Sequence, residues 1–113
     1  MLVKTNAIVM SGNMSLGINV LLALVESASR VLKDKGFDIE IIEKHHNAKK
    51  DAPSGTALML GKAAADGYEI DLTTVKKDGR SGLDQRNNKE IGFHAIRGGD
   101  IVGDHTALFA GSG

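Results

Sequence analysis

The sequence predicts an α+β domain, a mixed sheet covered on one face by two helices. Three observations carry that expectation. Apolar residues recur at helical spacing through "SLGINVLLALVESASRVLKDKG" (residues 15–36) and again through "SGTALMLGKAAADG" (54–67). Between them "FDIEIIEKHH" (37–46) alternates, with Phe37, Ile39 and Ile41 on one side and Asp38 and Glu40 on the other. Near the end, "EIGFHAIRGGDIVGDHTALFAG" (90–111) gives two strand-like runs around Gly98-Gly99.

In chain order, "NAIVMSG" (6–12) is a short apolar run closed by glycine and reads as a strand. In the first helix Leu16, Val20, Leu24, Ala28 and Leu32 recur every four residues, with Leu21 and Val25 beside them, as one apolar stripe. Ser15 suits its N-cap, Gly36 its end, and Lys33 and Lys35 its negative pole. The start of the second helix is marked by Pro53, which cannot sit inside a helix and pushes Ala52 to extended geometry. "YEIDLTTV" (68–75) is expected to be a strand, and residues 76–90 a charged loop without periodicity. The expected sheet therefore holds residues 37–45, 68–75 and the two runs in 91–109. An open edge on such a sheet pairs readily with another chain, so a homo-oligomer is expected.

The totals narrow the function classes. A chain of 113 residues is one domain by prior and can bury a modest core. Apolar residues make up 42% and charged residues 25%, the balance of a soluble globular protein. Fourteen basic and fourteen acidic residues cancel, so no long-range field draws the chain to nucleic acid or to an anionic membrane. Aromatics at 4% leave little for stacking on single-stranded bases. With no cysteine there is neither a disulfide framework nor a thiolate metal site, which fits a cytoplasmic location. The longest apolar run, residues 20–25, is far short of a membrane span, and no signal-peptide pattern opens the chain.

Polar chemistry concentrates in "EKHHNAKKDAPSGTAL" (43–58), between a strand and a helix start. The first N–H groups of a helix lack internal partners, and the dipole places partial positive charge there. The N–H groups around Ser54, Gly55 and Thr56 thus form an anion site in principle, with two hydroxyls beside them and Gly55 allowing close approach. Lys49 and one histidine supply charge. The ligand implied is a carboxylate or a phosphate. The competing reading is plain helix capping by Asp51, Pro53, Ser54 and Thr56. His45 and His46 are neighbours in an extended segment and point to opposite faces, so they do not share a metal, and none is expected. Either histidine is suited to proton donation at neutral pH. Asn13 and Ser15 lie at a strand-to-helix turn, where capping is the first reading. His94 and His105 read as surface or internally satisfied residues.

The segment "EKHHNAKKDAPSGTA" resembles the signature of the 4-hydroxy-tetrahydrodipicolinate (dihydrodipicolinate) reductase family. Glu43, His45, His46, Lys49, Asp51, Pro53, Ser54, Gly55, Thr56 and Ala57 all fit it. "GNMSLGINVL" (12–21) and residues 91–111 are similar to the family too. The resemblance implies an NAD(P)H-dependent enzyme of lysine and diaminopimelate biosynthesis, cytoplasmic and tetrameric, with a dinucleotide-binding domain and a substrate domain. It implies His45 as proton donor, paired with Lys49. It implies His46, Lys49, Ser54, Gly55 and Thr56 as holders of the substrate carboxylate, and Asn13 and Met14 near the nicotinamide. No G-x-G-x-x-G follows a strand here, and "SGLDQR" (81–86) departs from the family's His-Thr-Gly before the arginine. The expected division is residues 1–12 as the remnant of an inter-domain strand and 13–113 as a substrate-binding and oligomerisation domain, incomplete at its C-terminus and without the cofactor domain. Such a chain is expected to bind a small dicarboxylate weakly, to hold no NADH or NADPH, and to be inactive alone. The rival readings are a stand-alone small-anion-binding module and an oligomerisation scaffold.

Overall fold

The alternation that starts at Asp38 builds the central strand. A computed structural model describes residues 7–12 and 15–112. Its elements are β1 (Ala7–Gly12), α1 (Ser15–Leu32), β2 (Asp38–His45), α2 (Gly55–Tyr68), α3 (Leu72–Val75), β3 (Lys76–Asp78), β4 (Ile91–Arg97) and β5 (Asp104–Ala110). The five strands form one mixed sheet in the order β1-β5-β2-β4-β3. β5 is antiparallel to β1 and β2, whereas β2, β4 and β3 run parallel. The parallel β2–β4 pair requires a crossover, and α2 supplies it.

Ile39 and Ile41 of β2, Ile91 and Phe93 of β4, and Ala107 and Phe109 of β5 are buried against the helices. α2 offers this layer Ala57, Leu60, Ala63, Ala64 and Ala65. Its small residues permit close approach. A Cβ at Gly61 would overlap the Phe93 ring, and one at Gly67 would overlap Ser29 of α1. Each fully buried Leu, Ile or Phe contributes about 1.5–3 kcal/mol, so Leu60, Ile39, Ile41, Ile91 and Phe109 carry a large share of the apolar stabilisation.

Three expectations need correction. The first concerns α1. The face turned to the core carries Ile18, Leu21 and Val25, with Ser29 fully buried beside Gly67, while Val20 and Leu24 are about half exposed. The helix is apolar most of the way round, and the stripe read from Val20 and Leu24 lies beside the true one. The second is "YEIDLTTV", which is not a strand. Tyr68 ends α2, and Glu69 caps it in the left-handed region at φ 59°, donating its N–H to the carbonyls of Ala65 and Asp66. Asp71 then accepts from the N–H of Thr73 and starts the single turn of α3. The third is the charged loop, whose first residues, Lys76–Asp78, form the edge strand β3 against Ile91–Phe93. β1 is the other edge among the described residues, and its register sets Ala7 opposite Ala110.

Candidate active site

Parallel pairing brings the C-terminal ends of β2 and β4 to one rim of the sheet, and antiparallel pairing brings the start of β5 there too. The rim collects His45, Arg97 and His105. The loop after β2 returns to this rim to begin α2. Its path is fixed by backbone bonds from Asn47 N–H to the Gly99 carbonyl and from Gly98 N–H to the His45 carbonyl.

Glu43 sits at the centre of the rim with a side chain only 1% exposed. Its Oε1 accepts from Arg97 Nη1 at 2.6 Å and lies 2.7 Å from His45 Nδ1. Its Oε2 accepts from Arg97 Nη2 at 3.0 Å and from the Ser54 N–H at 2.8 Å. Arg97 Nη2 also donates to the Asp51 carbonyl at 2.8 Å. One carboxylate thus joins the end of β2, the end of β4 and the start of α2. Burial pushes the Glu43 carboxyl up, but the hydrogen bonds from Arg97, His45 and the Ser54 backbone outweigh it and hold its pKa down at about 2.

Ser54 is the N-cap of α2 with extended backbone, and its Oγ accepts from the Ala57 N–H at 3.1 Å. The same Oγ lies 3.1 Å from His105 Nε2. The His105 ring meets the His45 ring edge-on, with centroids 5.1 Å apart. The Leu58 N–H makes the first helical bond, to the Ser54 carbonyl. The N–H groups of Gly55 and Thr56 precede that bond, at the positive end of the helix. Gly55 is exposed, and the space around its absent Cβ is open.

The structure therefore brings His45, Ser54, Gly55 and Thr56 onto one rim. His46 faces solvent, and its Nδ1 accepts from the Ala48 N–H at 3.2 Å. Lys49 pairs with Asp51 at 2.9 Å, and this lysine holds the Asp51 carboxyl below its usual range. Asn13 and Met14 lie outside the described residues. Sequence reasoning did not single out Arg97 or give His105 a place in the site. Their partners are 54 and 51 residues away, and no local signal announces such pairs. A cavity of about 460 Å³ around Phe37 and Tyr68 lies at the far end of β2 from His45, and one of about 420 Å³ lies beside Ala52 and Pro53. Neither is lined by the expected site residues, which form an open rim rather than a cleft. Among the described residues no cluster of His, Asp or Glu is arranged to hold a metal ion, and no helix is long and apolar enough to cross a membrane.

A mixed sheet under two helices, with a histidine strand end beside a capped helix start, defines an α+β domain. The family model described as dihydrodipicolinate reductase, C-terminus, matches residues 17–113, and the chain belongs to that family. It is 56% identical over 107 residues to the 4-hydroxy-tetrahydrodipicolinate reductase of Roseobacter denitrificans, covering 94% of this chain and 39% of that protein. It is 55% identical over 111 residues to the reductase of the same name from a Ruegeria species, covering 97% and 41%. The chain thus spans about two-fifths of the length of these curated relatives. A solved dipicolinate-bound dihydrodipicolinate reductase from Paenisporosarcina shares the fold, with a TM-score of 0.53 and 24% identity over 84% of this chain and 36% of that one.

Proposed function

We propose that this chain is the substrate-binding part of an NAD(P)H-dependent reductase that converts 4-hydroxy-tetrahydrodipicolinate to tetrahydrodipicolinate in lysine and diaminopimelate biosynthesis. The observation that carries the reading is the placement of the His45 ring and the start of α2 on one buried carboxylate, Glu43. In this reading one substrate carboxylate docks on the N–H groups of Gly55 and Thr56, with the Ser54 and Thr56 hydroxyls, Lys49 and His46 around it. His45, assisted by Lys49, delivers the proton. The family name and the dipicolinate-bound relative support a ring dicarboxylate over phosphate. The nicotinamide supplies a hydride in the parent enzyme, near Asn13 and Met14. The residues described here donate or orient; the grip on the dinucleotide belongs to another domain of the parent. Residues 13–113 are then the substrate and oligomerisation domain, and residues 1–12 the remnant of an inter-domain strand, of which Ala7–Gly12 is the edge strand β1 of the same sheet. The sheet is the proposed surface of a homo-oligomer, the cytoplasm the proposed location, and the isolated chain is expected to bind without catalysing.

The test is a calorimetric titration of the chain with pyridine-2,6-dicarboxylate and with phosphate. A charge-assisted hydrogen bond is worth about 1.5–3 kcal/mol, so Lys49→Ala should weaken dicarboxylate binding roughly tenfold to a hundredfold. Dicarboxylate should exceed phosphate. Binding that ignores Lys49, or that favours phosphate, would overturn the reading.

A further inference from the structure

We propose that Glu43 is a positioning residue that fixes the neutral His45 ring in its Nδ1–H tautomer, so that Nε2 is the edge that exchanges a proton with the ligand. Arg97 Nη1, Arg97 Nη2 and the Ser54 N–H are donors in every state, and they take both Glu43 oxygens. An ionised carboxylate offers acceptors only. The remaining contact, His45 Nδ1 at 2.7 Å from Oε1, is therefore a bond that His45 donates. With its proton on Nδ1, the neutral ring leaves Nε2 bare.

The surroundings of that edge agree. A Cβ on Gly103 would come within 3.3 Å of His45 Nε2, so the glycine keeps the edge clear. The His105 ring abuts the imidazole at 70° and limits its rotation about χ2. When Nε2 gains a proton the ring becomes a cation, with Glu43 opposite to balance it. When that proton passes to a basic atom of the ligand, the bonding pair stays on Nε2. The ring returns to the Nδ1–H form without turning. Arg97 then has its own part, because it keeps both carboxylate oxygens in line and ties them to the loop at Asp51.

This inference rests on the proposal that His45 is the proton donor, and its test is independent of ligand. Long-range proton–nitrogen spectra of the 15N-labelled 113-residue chain, recorded above the histidine titration range, read the tautomer directly. The His45 signals are assigned by their loss in His45→Asn. The expected result is a protonated Nδ1 and a bare Nε2; an Nε2–H ring in the wild-type chain overturns the proposal. In Glu43→Gln the amide must present its NH₂ to two donors on one side. The Ser54 N–H cannot change, whereas His45 can become an acceptor at Nδ1. The variant should therefore shift His45 to the Nε2–H form, and an unchanged signature overturns the proposal. If that variant does not fold, the wild-type spectrum decides alone. A wild-type chain that shows Nδ1–H yet binds no dicarboxylate leaves Glu43 as the residue that sets the His45 tautomer, but it sinks the proposed function and with it the exchange with a ligand.

Discussion

Replacing Glu43 by glutamine should reveal how much of the stability of this domain is held by one ionised carboxyl. The folded state lowers the Glu43 pKa from 4.5 to about 2. At about 1.36 kcal/mol per unit, that difference of roughly 2.5 units is worth about 3 kcal/mol. Because the folded pKa is the lower one, the contribution is complete above pH 4.5 and is lost as pH falls toward 2. By pH 3 about 2 kcal/mol of it has gone. Glutamine removes the ionisation and leaves the partly exposed Arg97 without its counter-charge, so the loss at neutral pH is about the 3 kcal/mol that the carboxylate contributed. The assay is urea unfolding followed by circular dichroism, on wild type and Glu43→Gln at matched ionic strength, at pH 6 and pH 3. The gap between the two proteins should be wide at pH 6 and should narrow by about 2 kcal/mol at pH 3. A gap that does not change with pH would refute the reasoning, since it would mean that the carboxyl titrates alike in folded and unfolded chains.

Two further expectations follow from close contacts elsewhere. Gly61→Ala drives a methyl into the Phe93 ring and should destabilise the fold by about 1–3 kcal/mol, read as a lower urea midpoint with an unchanged slope. Arg86 holds residues 79–90 to the sheet, donating to Glu40 at 2.9 Å and to the carbonyls of Ile39 and Glu90 at 2.8 Å. Arg86→Ala should therefore leave the core folded but make this loop the first site of tryptic cleavage, at Arg80 or Lys89; a loop as resistant as in wild type would show that Arg86 is not its anchor.

The strongest signals in the sequence were those with a local cause. Pro53 and Ser54 marked the start of α2, and Ile39 and Ile41 marked the buried face of β2, because capping and alternation are written in adjacent residues. The errors fell where local pattern allows two answers. "YEIDLTTV" has the β-branched content of a short strand, and periodicity does not separate a run of that length from a helix turn. Asp71 two residues before Thr73 was the available sign of a cap. In α1 an apolar residue stands on nearly every face, so the sequence could not say whether Leu21 or Leu24 meets the core. Gly67 decides it, by admitting Ser29. The site divides in the same way. The residues of "EKHHNAKKDAPSGTAL" were visible as a group, and Glu43 stood among them. Its burial was not visible, because it depends on Arg97 arriving from the end of β4.

The pairing of Ala7 with Ala110 has a mechanical consequence. The first and last strands run antiparallel and end side by side, so any polypeptide continuing from either terminus leaves from the same corner. Tension applied through the two termini would open the β1–β5 ladder one rung at a time, as a zipper parts, instead of sliding the strands past each other. The β1–β5 ladder is thus the seam that parts first, and it parts from the end opposite the rim that bears Glu43.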